Sequence, residues 1–174
     1  TNKENIKSTL VDDYLVKLNK SGDILFEKSL YDCLSENNLA YLIAPTTNNP
    51  FAYLESNKID IFHLNDIEPV FDDGKFWRRG DIFISLRNRS LILLYRPETN
   101  KILWHKSGPW MNQHDVDIID SKRISIFGND VIDISSENNK YFKSYYGHNN
   151  IYIYNFENEL VSTPYRNIMK KLNI

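Results

Sequence analysis

"LILLYRPETNKILWHK", residues 91–106, sets the architecture of this chain. An apolar strand runs to Arg96, the polar step Pro97-Glu98-Thr99-Asn100 turns the chain, and an alternating strand returns. Proline fixes φ at the front of such a turn and asparagine tolerates the left-handed region at its end, so the stretch reads as an antiparallel hairpin. The same pattern stands at "YLVKLNKSGDILFEKS" (14–29) and again at "IYIYNFENELVSTP" (151–164). Another strand pair precedes each of the two later copies: 63–70 with 80–88, and 114–119 with 123–128.

Two units of four strands therefore repeat at about 50 residues, a period that belongs to propeller blades. A sandwich also uses short antiparallel strands, but it does not require one hairpin three times over. The expected fold class is all-β: part of a β-propeller, with about two and a half four-stranded blades of a larger ring. Residues 1–29 would supply the outer hairpin of a preceding blade and 30–62 a helical insertion and linker. Residues 63–106 and 107–164 would form two blades, and 165–174 would lead into the next. The stretch "LYDCLSENNLAYLIA" (30–44) keeps a 3–4 apolar spacing through Leu30, Cys33, Leu34, Tyr41 and Leu42, which predicts an inserted helix.

Composition removes several function classes. A net charge of −2, with lysines and arginines scattered, excludes a phosphate-tracking surface and so a nucleic-acid partner. No apolar run approaches the roughly 20 residues of a membrane span. The single Cys33 excludes an intrachain disulfide. The first residue is threonine and no signal-like segment follows, which fits a processed form or an excised piece. No glycine-rich phosphate loop and no close-spaced zinc ligand set occurs, so neither a cofactor nor a metal is expected.

The histidines are more informative. His63 opens "HLNDIEPV" and His114 opens "HDVDII", 51 positions later. First strands of blades line the central channel, so both imidazoles are expected to face it. Arg87, in "SLRNRS", ends a second strand, and Asn129, in "FGND", ends the second strand of the next unit. Two histidines, an arginine and an asparagine on one channel would make an anion site. Against that stands the bland reading of each residue: a structural histidine, a surface arginine, an Asn129-Asp130 turn. His105, His148, Trp104 and Trp110 read as structural, Arg89 as an ion-pair residue, and "DDGKFWRRGD" (72–81) as an exposed loop.

The pieces "IFHLNDIEPV", "GDIFISLRNRSLILLYRPETNKILW", "GPWMNQHDVDII" and "ISIFGND" resemble the bacterial arylsulfotransferases. That family is a six-bladed propeller with H-x-N, S-x-R, Q-H and F-x-N motifs in this order. The resemblance covers about residues 60–130. It implies a transient nucleophile at His114 and channel anion binders at His63 and Arg87. It further implies aryl sulfate and phenol as small-molecule partners, no cofactor, and a periplasmic or secreted location. The family's site also draws a histidine from earlier blades, so the remaining blades of a ring are expected as partners.

The chemistry fits these residue types. Neutral imidazole can attack sulfur, giving a sulfohistidine and dividing one displacement into two. Arg87 and a protonated His63 would stabilise the sulfuryl oxygens, while Asn65 or Asn129 would donate to the same oxygens or fix a tautomer. Two other readings stay open. One is a propeller of the same family that binds a ligand or partner without turnover. The other is a metal-dependent hydrolase with His63, His114 and Asp66 or Asp115 as ligands.

Overall fold

The computed structural model describes residues 9–43, 58–130 and 148–172. Contacts divide the chain into two compact units, Thr1–His63 and Leu64–Ile174.

In the first unit, β1 (Thr9–Val11) pairs in parallel with β4 (Lys58–Asp60). Between them lies an antiparallel hairpin of β2 (Tyr14–Leu18) and β3 (Ile24–Ser29). Asn19 shapes its turn, its side-chain oxygen accepting from Ser21 N–H at 2.8 Å and Asp23 N–H at 2.9 Å, with Gly22 at φ 89. The Ser29 hydroxyl then caps α1 (Leu30–Glu36) by accepting from Asp32 N–H at 3.1 Å. Leu30, Cys33 and Leu34 form the buried face of that helix.

The helix is shorter than the expected 30–44. Asn38 takes φ 62, its N–H donates to the Ser35 carbonyl at 3.2 Å, and Leu39 N–H reaches back to the Leu34 carbonyl at 2.9 Å. That is a Schellman termination. The Asn-Asn step stops the helix, and a single 3-10 turn at Ala40–Leu42 follows.

The second unit holds two four-stranded antiparallel sheets, each a meander in chain order. The first runs β5 (Leu64–Pro69), β6 (Ile82–Leu86), β7 (Leu91–Arg96), β8 (Lys101–Ser107). The second runs β9 (Asp115–Asp120), β10 (Arg123–Gly128), β11 (Asn150–Asn155), β12 (Leu160–Ser162). β5 and β9 do not pair with each other; each is an edge strand. A helix, α2 (Arg166–Leu172), follows and buries Met169.

The Pro97–Asn100 turn read from sequence forms as written, and a second turn that the sequence reading did not mark resembles it. The Pro97–Thr99 turn closes on left-handed Asn100 (φ 51), and the Arg87–Arg89 turn closes on left-handed Ser90 (φ 49). β6 and β7 are buried along nearly their whole length, which is why they read as continuous apolar runs. The flanking strands alternate, as half-buried strands must. Both sheets contribute to one core, Phe83 and Leu94 from the first and Ile124 and Tyr154 from the second. Trp104 packs on Tyr154 at 5.0 Å between ring centroids, and Trp110 is fully buried.

The stretch 72–81 is a loop exposed at Asp72, Asp73, Lys75, Arg78, Arg79 and Gly80, as expected, but two of its residues are buried. Trp77 is buried, edge-on to Phe83 at 5.3 Å and to Phe156 at 5.2 Å. Asp81, 1% exposed, takes a bidentate grip from Arg96, Nε and Nη2 each at 2.7 Å. Arg78 and Glu98 form an ion pair at the surface. The loop thus closes one end of the core. Its polar composition hid that, because Trp77 and the half-buried Phe76 beside it stand among charged residues.

Candidate functional site

The segment 108–114 brings His114 to the start of β9, and nearly every residue of it is fastened. Gly108 N–H donates to the Ser90 carbonyl at 2.9 Å. Trp110 lies edge-on to Tyr152. Met111 N–H donates to Asp130 Oδ1 at 2.9 Å and Asn112 N–H to Ser90 Oγ at 3.4 Å. Gln113, fully buried, donates from Nε2 to the Leu91 carbonyl at 3.1 Å and to Ser85 Oγ at 3.2 Å. His114 N–H donates to the Phe127 carbonyl at 3.1 Å. The result is an exposed histidine on a fixed backbone.

Gln113 and Ser85 close a ring with Asn65. Gln113 Nε2 donates to Ser85 Oγ, Ser85 Oγ donates to Asn65 Oδ1 at 2.8 Å, and Asn65 Nδ2 donates to the Gln113 carbonyl at 2.7 Å. A closed polar ring in a buried setting polarises itself and rigidifies the strands that carry it. It ties the peptide before His114 to β5 and β6 of the other sheet.

Strand register gives the equivalences between the sheets. Leu64 pairs with Leu86 but Asp66 pairs with Ser85, so Asn65 is the extra residue of a bulge. Asp115 pairs with Phe127, whose carbonyl also accepts from His114, so His114 is the extra residue at the matching place. Asn65 is therefore the structural equivalent of His114, and Asp66 of Asp115. His63 (φ 52) matches Asn112 (φ 45), both left-handed. This corrects the equivalence inferred from sequence spacing: the register lies two residues away from it, because the connections differ in length while the paired strands do not. Arg87 and Asn129 do correspond, each directly after the last pair of its second strand, Leu86 with Leu91 and Gly128 with Asn150.

The other expected site residues stand as follows. His63 ends the first unit; its ring is 44% exposed and its Nδ1 is 2.6 Å from Asp60 Oδ2, while its N–H donates to Asp60 Oδ1 at 2.8 Å. Arg87 is half-buried, with Nη1 3.3 Å from Asn88 Oδ1 and an enclosed Nε that meets no acceptor among the described residues. Asn129 is half-buried.

The edges of β5 and β9 lie side by side and are joined by side chains rather than by a ladder. Asp66 Oδ2 accepts from Val116 N–H at 2.9 Å, and Glu68 accepts from the backbone of Ile118. Carboxylates of one edge strand thus satisfy the amides of the other and keep the two sheets from merging. The acid groups crowd there as a consequence. Burial, followed by repulsion from neighbouring carboxylates, raises the Glu68 carboxyl above its ordinary range. Asp66 and Asp115 are raised by burial first and by their acidic neighbours as well. Among the described residues, no group of three or more His, Cys, Asp or Glu could hold a metal ion.

The comparison with family models decides the affiliation: the arylsulfotransferase (ASST) model matches residues 2–174. The chain belongs to the arylsulfotransferase family. No curated protein and no solved structure matches it. Arylsulfotransferase-like function and aryl sulfate and phenol substrates follow at the level of the family. Among the described residues, no helix is long and apolar enough to cross a membrane.

The polar ring gives two of the short motifs a physical content that spacing alone did not. Ser85 and Gln113 open the S-x-R and Q-H pieces of this arylsulfotransferase-family chain, and both belong to the polar ring. Neither was singled out from sequence as a functional residue, although both stand inside the quoted motifs. Asp130, read as part of a turn, is fully buried and takes three hydrogen bonds among the described residues. Gly128 precedes Asn129 because a Cβ there would meet the Tyr152 ring at 2.6 Å and Asp130 Oδ1 at 2.7 Å.

Proposed function

We propose that the two four-stranded meanders are blades of an arylsulfotransferase propeller and that His114 is its transient nucleophile. The observation that carries this reading is the ring of Gln113, Ser85 and Asn65, which fixes the backbone of an exposed histidine from both sheets. A nucleophile gains most when its approach is set in advance.

In this scheme a lone pair of the neutral His114 imidazole attacks the sulfur of an aryl sulfate. The sulfur–oxygen bond to the ring breaks, and its electron pair departs with the phenolate. The second ring nitrogen passes its proton, by way of solvent, to the departing phenolate, leaving a sulfohistidine with a neutral ring and a sulfuryl group that keeps its negative charge. The acceptor phenol's oxygen then attacks sulfur, the nitrogen–sulfur bond breaks with its electron pair returning to the imidazole, and the ring takes up the proton that the phenol gives up.

Arg87 offers a planar donor fork to the sulfuryl oxygens, and its enclosed Nε is consistent with an anion as its partner. Asn65 uses one Nδ2 hydrogen on Gln113 and has a second to offer. Asn129, at the position equivalent to Arg87, takes the role of a further donor. His63, whose Nδ1 faces Asp60, would present Nε2 to the anion. The family also suggests a periplasmic or secreted setting and a ring completed by other blades.

Incubation of the intact protein with a chromogenic aryl sulfate, with and without an acceptor phenol, tests the reading. Acceptor-dependent release of the donor phenol is expected. Saturable binding without release would make this a ligand-binding module of the same family.

A further inference from the structure

We infer that Asp130 is a positioning residue for His114; this rests on the sulfotransfer reading and deepens it. Its carboxylate is fully buried, and among the described residues its donors are neutral: Met111 N–H on Oδ1, and Asn150 Nδ2 and Tyr152 Oη on Oδ2, both at 2.8 Å. Burying a carboxylate is costly, and accepting several strong hydrogen bonds is what makes it tolerable. Replacing the group with an apolar one would spare that cost, so its presence points to the geometry that it imposes.

That geometry concerns the approach to His114. Met111 is three residues before His114, in the segment that Ser90 and the polar ring hold elsewhere. Asp130 supplies the side-chain anchor from the far side, where β10 ends and β11 begins, between the Trp110–Tyr152 ring contact and the His114 N–H bond to the Phe127 carbonyl. It bridges β11, through Asn150 and Tyr152, to the His114-bearing segment. Gly128 provides a second, independent observation. Any Cβ there would strike both Tyr152 and the Asp130 carboxylate, so the strand gives up a side chain to admit the carboxylate. Asp130, Tyr152 and Gly128 form one device, and its output is the backbone position from which His114 reaches sulfur.

The test uses Asp130→Asn and Tyr152→Phe in the intact protein, with three readouts. These are kcat and KM for an aryl sulfate, hydrogen exchange at the amides of residues 111–114, and the thermal midpoint. Asp130→Asn keeps the shape and one acceptor oxygen but turns a donor toward Asn150. We expect kcat to fall by roughly 100-fold, the order that a small misplacement of a reacting group costs, with KM changing less than about threefold. Exchange at Met111 and His114 should quicken in step. Tyr152→Phe deletes a single bond and should move both readouts in the same direction by a smaller factor. It also serves as the readable variant if Asp130→Asn does not fold.

Wild-type kcat and unchanged exchange in a folded Asp130→Asn protein would overturn the inference and leave the sulfotransfer reading intact. Loss of activity through KM or through the thermal midpoint alone, with exchange at 111–114 unchanged, would overturn it too. If the wild-type protein transfers no sulfuryl group while Asp130→Asn still loosens 111–114, the sulfotransfer reading falls and the structural coupling to His114 survives.

Discussion

Asn65 Nδ2 donates to the Gln113 carbonyl at 2.7 Å, so the peptide bond leading into His114 hangs from the first strand of the neighbouring sheet. Asn65 and His114 are the equivalent bulge residues of their sheets, and one supports what the other presents. The repeat has thus been used asymmetrically: the same backbone feature carries a structural amide in one sheet and an exposed imidazole in the next.

Asn65→Asp tests that support. The change replaces the donor by an oxygen facing a carbonyl, breaking the ring at one link. Loss of a partnered donor in this setting costs about 1–3 kcal/mol, read as a lower midpoint in chemical denaturation. Turnover is expected to fall by roughly 100-fold, because His114 loses its set approach. Unchanged stability and turnover would mean that the ring is incidental.

Arg87→Lys and Arg87→Ala separate charge from shape. Lysine keeps the charge and loses the fork, so part of the activity should survive; alanine should lose about 2.7–4 kcal/mol of transition-state stabilisation, roughly 100- to 1000-fold in kcat. His63→Ala should fall in the same range. Equal activity of the lysine and alanine variants would remove Arg87 from the sulfuryl site.

Glu68→Gln should stabilise the fold at neutral pH. Burial first, and repulsion from acidic neighbours second, raise the Glu68 carboxyl in the folded protein, so the folded state holds its proton more tightly than the unfolded chain does. Stability then declines as pH rises through that raised value and is fully present below about pH 4, the ordinary glutamate range. The thermal midpoint of Glu68→Gln should exceed that of wild type at pH 7, with the gap closing by about pH 4. A lower midpoint at pH 7 would show that Glu68 stabilises as a carboxylate.

Arg96→Leu should be among the most destabilising single changes at the closed end of the core. It leaves the Asp81 carboxylate, 1% exposed, without its bidentate partner. Removing one member of a buried pair costs about 3–5 kcal/mol, and Arg96's own partial exposure puts the expected value near the lower end. Denaturant titration measures it. A loss comparable to that of an ordinary surface substitution would contradict the role given to the loop 72–81.

The strands and turns were legible in the sequence because they depend on local chemistry. Pro97 and Asn100 fix a hairpin whatever surrounds them, and β6 and β7 announce their burial as apolar runs. Features that depend on contacts between distant residues were not legible. Trp77 sits in a charged stretch and is core because Phe83 and Phe156 meet it there. Asp130 reads as a turn residue until Met111, Asn150 and Tyr152 converge on it. The equivalence of His63 and His114 failed for a related reason, since register is set by which carbonyl accepts from His114 and not by counting along the chain.

The most direct measurement on the central claim is mass spectrometry of the intact protein quenched during turnover of an aryl sulfate, compared with His114→Asn. The wild-type protein should carry one sulfuryl group on the peptide containing His114. In His114→Asn both that adduct and acceptor-dependent turnover should be absent, because an amide nitrogen is not a nucleophile. His63→Ala and Arg87→Lys should still form the adduct, more slowly. A His114→Asn protein that turns over aryl sulfate at a near-normal rate would contradict the scheme and leave His114 a tether or a structural residue.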